Sequence, residues 1–85
     1  MTKESVKSWI KTGLELNFQF ENKGYYMCPI WDDNERIIGI VFCEDYQTDD
    51  VKVRDVDELW ASEYRGLIVG DILDSVPEDQ VDGRL

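Results

Sequence analysis

The chain has 85 residues, 42% of them hydrophobic, and carries 19 acidic against 9 basic side chains for a formal net charge of −10, with no histidine. That length suits one domain burying about 60–65% of its unfolded surface. The acidic balance argues against direct grip on nucleic acid, which needs clustered Lys and Arg, and against an anionic membrane surface. It favours a basic protein partner, or the basic groove of a nucleic-acid enzyme.

In chain order, residues 3–12 read as a helix. Val6, Trp9 and Ile10 share one face, Thr2 supplies the N-cap and Gly13 the left-handed C′ position. Met1-Thr2-Lys3-Glu4 has no apolar leader, and no stretch of about 18 apolar residues follows. The two cysteines are therefore expected as reduced thiols in the cytoplasm.

Three alternating segments follow, Glu15–Glu21, Tyr25–Trp31 and Ile37–Cys43. Asn22-Lys23-Gly24 suits a three-residue hairpin with Gly24 left-handed, which pairs Glu21 with Tyr25. The polar turn 32–36, centred on Asn34, pairs Ile30 with Ile38. Both turns then place Leu16, Phe18, Phe20, Tyr26, Cys28, Ile30, Ile38, Ile40 and Phe42 on one shared core face. The segment 44–50 is acidic and irregular, and Val51-Lys52-Val53 offers a short fourth strand. Asp55 and Glu58 form a capping box that opens a helix through Trp60. A last helical stretch starts at Leu67 or Val69 and runs to Val76, with Leu67, Ile68, Ile72, Leu73 and Val76 as its stripe, and Pro77 stops it. The expected fold is α+β: a three-stranded antiparallel meander with a fourth short strand at 51–53, a short N-terminal helix and one or two C-terminal helices. Residues 1–76 form the domain and 77–85 a flexible acidic tail.

The residues give little support to catalysis. Without histidine there is no imidazole base and no Ser–His or Cys–His pair. Two cysteines do not make a four-thiolate zinc site, and Asp32-Asp33-Asn34-Glu35 lacks the glycine and distal glutamate of a calcium loop. Gly66 and Gly70 stand outside any phosphate-loop pattern. The alternation sends Cys28 and Cys43 to opposite faces, so they should not bridge. Cys43, flanked by Glu44 and Asp45, is a poor candidate nucleophile. The expectation is no enzyme, no cofactor and no metal.

The run Trp9-Ile10, Gly13, Glu15-Leu16-Asn17-Phe18-Gln19-Phe20 and Lys23-Gly24-Tyr25-Tyr26 resembles the opening of a group of small helix-plus-hairpin proteins of Gram-positive bacteria and their phages. Asp55–Trp60 and Gly66–Ile72 match the capped helix and glycine-led segment that follow in that group. The function of that group is unknown to us, so the resemblance carries over no catalytic or binding residue.

On the same alternation the second sheet face is mixed. Glu15, Asn17, Gln19 and Glu21 are polar, whereas strands two and three place Tyr25, Met27, Trp31, Ile37 and Val41 there. A half-exposed antiparallel sheet normally turns polar residues outward. That apolar set needs a cover, supplied either by the chain's own helices or by a homodimer or protein partner. If by a partner, Tyr25, Met27, Trp31, Ile37 and Val41 are the candidate interface. The expected function is a non-catalytic, acidic protein-interaction module, phage- or mobile-element-associated. The alternative is an acidic inhibitor that mimics nucleic acid in the groove of a host enzyme.

Overall fold

The first helix, α1 (Lys3–Lys11), is fixed at both ends by the residues its sequence nominates. The Thr2 hydroxyl accepts from the Ser5 amide at 3.1 Å. Gly13, at φ 86°, lets its own amide reach Ile10 O (2.9 Å) while the Leu14 amide reaches Trp9 O (3.2 Å), the paired closure of a Schellman end. The computed structural model describes residues 1–84, with the side chain of Arg84 excepted. After α1 come β1 (Glu15–Phe20), β2 (Lys23–Trp31), β3 (Ile37–Glu44), β4 (Val51–Val53), α2 (Val56–Ala61), β5 (Glu63–Tyr64), β6 (Leu67–Ile68) and α3 (Val69–Ser75). A single 3-10 turn, Glu78–Gln80, leads into β7 (Asp82–Arg84). Strands lie in the order β4-β3-β2-β1-β7, all antiparallel, and β5-β6 is a separate two-stranded ribbon. The α+β meander expected from the sequence is the fold.

Its register differs from the expectation at the first turn and again just beyond the second. The first hairpin turns on two residues, Glu21 (φ 51°) and Asn22 (φ 65°), with Phe20 opposite Lys23. Two consecutive left-handed residues match the right-handed strand twist, so Gly24 is not the left-handed residue and simply enters β2. This register sets Phe18 opposite Tyr25 and Leu16 opposite Met27. The Phe18 and Tyr25 rings stack at 5.7 Å, and Tyr25 stacks on Phe42 at 5.6 Å. Aromatic burial of that size outweighs the mild cost of a glutamate at positive φ.

At the second turn the centring on Asn34 holds, because Trp31 pairs with Ile37. A β-bulge follows: Ile30 pairs with Gly39, so Ile38 is the extra residue and β3 slips by one. Met27 then faces Phe42 and Pro29 faces Ile40. Leu16, Phe18, Ile40 and Phe42 are buried as expected, but Tyr25 and Met27 join them in place of Tyr26 and Cys28.

All three helices pack on this one face. Val6 and Ile10 of α1, Val56 and Leu59 of α2, and Val69, Ile72 and Leu73 of α3 share a core with the sheet residues. Tyr64 of β5 closes it edge-on against Phe42 at 5.5 Å. α3 begins at Val69, the later of the two expected starts, and Leu67 and Ile68, expected in its apolar stripe, form β6 and are partly exposed. The Met1 side chain is buried, and its ammonium donates to Leu73 O (2.8 Å) and to Val76 O at the open end of α3. Residues 78–84 are not the free tail expected: β7 pairs with β1, setting Glu15 opposite Arg84 and Asn17 opposite Asp82. Among the described residues no helix is long and apolar enough to cross a membrane.

Candidate functional site: the helix-free face of the sheet

The helices crowd one side, and on the other side no helix or strand among the described residues lies over β2 and the middle of β3. The reversed phase of β2 turns Tyr26, Cys28 and Ile30 outward, all half-buried, and Val41 lies beside Cys28 on β3. The bulge leaves Ile38 unpaired between Ile37, which packs on the core, and Gly39 of this face, and 54% exposed. Gly39 is required here because a Cβ would fall 2.6 Å from the carbonyl oxygen of Val53 on β4. An apolar band therefore runs down the two central strands, bordered by Glu15, Asn17 and Gln19 on β1 and by Lys52 on β4.

One end of the band is closed by the segment joining β3 to β4. It folds over Cys43, which is fully buried and whose single thiol proton has Glu44 O (3.1 Å) and Asp49 O (3.3 Å) as acceptors within reach. Arg65, on the left-handed turn between β5 and β6 (φ 52°), locks that segment in place. Its Nε and Nη2 grip both oxygens of Asp49 at 2.8 and 2.5 Å, its Nη1 meets Glu44 Oε2 at 2.6 Å, and Nη2 donates to Gln47 Oε1 at 3.0 Å. The guanidinium also lies over the Tyr64 ring at 5.4 Å. The Tyr64 hydroxyl accepts from the Glu44 amide (3.1 Å) and donates to Asp49 O (3.0 Å). Glu44, only 7% exposed, is thereby a compensated buried carboxylate. The lock presents Tyr46, fully exposed and at φ 65°. Tyr46 lines a shallow depression with Gln19 and Gly24 of the outer face, so it stands at the end of the apolar band.

Electrostatics favour the protonated forms of Tyr26 and Cys28 on this face. Hydrogen bonding to the Cys43 thiol, then burial, pushes the Tyr26 hydroxyl up to about 12. Burial, then the Glu15 carboxylate, raises the Cys28 thiol. Both shifts favour the protonated group, which is the less nucleophilic form. The hydrogen bonds from Arg65 hold Asp49 below the ordinary carboxylate range. Among the described residues no group of three His, Cys, Asp or Glu side chains is placed to hold a metal ion.

The five candidate interface residues are dispersed. Tyr25 and Met27 lie in the core, covered by the chain's own helices. Trp31, 51% exposed, closes on Gly13 beside the end of α1, and Ile37 is partly buried against the core. Of the five, Val41 lies on the helix-free face. Sequence reasoning placed Tyr26, Cys28, Ile30 and Ile38 in the core and gave Tyr46, in the irregular segment 44–50, no role. Gly39 inside a strand was the available signal, since an interior strand glycine marks a bulge. No comparable signal marked Glu21 as a turn residue.

Comparison with known proteins adds no identity: no family model, no curated protein and no solved structure matches the chain. The functional reading therefore rests on this surface.

Proposed function

We propose that the protein is a non-catalytic protein-interaction module that docks its partner on the helix-free face of the sheet. The observation that carries this reading is the apolar band of Tyr26, Cys28, Ile30, Ile38 and Val41 on a face that no helix covers. Contiguous apolar surface of this kind marks interaction sites, and a half-exposed sheet without a partner would turn polar residues outward. The resemblance to small proteins of Gram-positive bacteria and phages makes such a cell the natural setting for the partner.

The nucleic-acid-mimic alternative draws less support. Mimicry needs free carboxylates in a regular array, whereas the acidic stretch 44–58 is largely paired within the chain. Glu44 and Asp49 meet Arg65, Asp50 meets Lys52, Asp57 meets Lys3 and Lys7, and Glu58 meets Arg54.

The test is a photo-cross-linking amino acid placed at Ile38, and separately at exposed Glu63 away from this face, in cells that make the protein. The expected result is one defined adduct from position 38 and none from 63. That adduct should vanish when Val41→Lys is added, with circular dichroism unchanged. Equal capture from both positions, or none from 38, refutes the reading.

A further inference from the structure

We infer that the occupant of this face is a basic amphipathic helix of a partner protein, an inference that rests on the interaction reading above. Three features select it. The edge strands β4 and β7 are only three residues each, so an added strand has little ladder to pair with, and the broad open surface is the face itself. From Tyr26 to Ile30 the band spans about 13 Å at roughly 3.3 Å per residue, the length of about nine helical residues at 1.5 Å each. A helix laid there would complete the sheet as α1, α2 and α3 complete the other side. Finally, the described charges around the band are Glu15 beside Cys28, Asp45 against Gly24, Asp50 close enough to act on Tyr26, and Lys52, whose amine sits 3.9 Å from Asp50. Among the described side chains, which do not include that of Arg84, neither Glu15 nor Asp45 makes an ion pair. A helix with an apolar stripe flanked by Lys and Arg matches both the band and its rim. A second copy of the chain, itself at −10, would set these rims against each other.

The test uses three capped 14-residue peptides added to the whole protein: a Leu/Lys helix with leucines at i, i+3, i+4 and i+7, a scramble of identical composition, and a Leu/Glu helix of the same pattern. Amide chemical shifts report the site and calorimetry the affinity. The expected result is that only the Leu/Lys helix binds at 150 mM salt, shifting residues 26–30, 38–41 and 45–47. Ile38→Lys should weaken it at least tenfold and the double change Glu15→Gln, Asp45→Asn several-fold, with the melting temperature of each variant close to wild type. Equal binding of the scramble would reduce the effect to charge attraction and overturn the inference. Binding of the Leu/Glu helix on the same face, or self-association abolished by Ile38→Lys, would overturn the basic helix as occupant while leaving the face as an interface. No shift on this face with any peptide, together with no adduct from position 38, would remove both the inference and the interaction reading.

Discussion

Gly70 offers the sharpest check on how the helices are held. It is the second residue of α3, where alanine is intrinsically the better helix former by up to about 1 kcal/mol, so helix propensity alone argues that Gly70→Ala stabilises. Packing argues the opposite. A Cβ at Gly70 would sit 2.6 Å from the carbonyl oxygen of Trp60 and 2.5 Å from its ring, where a carbon needs roughly 3.5 Å. The partly buried ring can swing aside, but the carbonyl belongs to the backbone of α2. The two helices must therefore separate by close to 1 Å, and the loss falls on Leu59, Ile72 and Leu73, each at most 1% exposed. Overpacking of that kind costs about 1–3 kcal/mol, and early in a helix it is only partly offset by propensity. The expected net loss is about 1–2 kcal/mol, a drop of roughly 5–15 °C in a domain this small. Urea unfolding followed by tryptophan fluorescence and far-ultraviolet circular dichroism measures it. A melting temperature equal to or above wild type would mean that α3 slides freely over α2 and that the close approach is not structural.

The remaining expectations probe other parts of the fold. Phe18→Ala removes a ring stacked on Tyr25 and packed on Phe42; it should cost about 3–5 kcal/mol and leave the chain largely unfolded by circular dichroism. Arg65→Ala should lower the melting temperature and speed amide exchange across 44–50, because Glu44 loses its main counter-charge. The Asp49 carboxyl is held low by Arg65, so its contribution is present above the unfolded value near 3.9 and is lost as pH falls through the lower folded value. The acid limb of the wild-type stability curve should flatten in that variant, and an identical limb would mean that the pair adds nothing. Nα-acetylation removes the charge that Met1 directs at Leu73 O and Val76 O, and should cost about 1.5–3 kcal/mol by thermal melting of the modified and free chains.

The sequence carried the elements better than their phase. Period-two alternation located β1, β2 and β3, and cap chemistry at Thr2, Gly13 and Asp55 located two helices, because these signals act over a few neighbouring residues. Phase is different: a one-residue slip exchanges the faces of a whole strand. Asn22-Lys23-Gly24 reads as a three-residue turn, yet the chain accepts Glu21 and Asn22 at positive φ, since only then do Tyr25 and Met27 lie under the helices. The bulge at Ile38 likewise lies beside β4, whose Val53 carbonyl leaves no room for a Cβ at position 39. Both decisions depend on residues far along the chain. The candidate site inherited the same error, because its membership follows from which side each strand turns outward. The Arg65 lock was beyond reach for a related reason: it joins the turn at 65 to carboxylates 16 and 21 positions earlier.

The pairing of β7 with β1 also bears on how the chain reaches its native state. The first strand to be made is completed by the last, and some 65 residues separate Asn17 from its partner Asp82. Until that segment leaves the ribosome, one edge of β1 stands open. Contacts of such sequence separation close slowly, since the loop entropy is lost before the ladder returns it. The emerging meander would therefore spend its early life with a bare edge beside an apolar face, which is the combination most prone to wrong association.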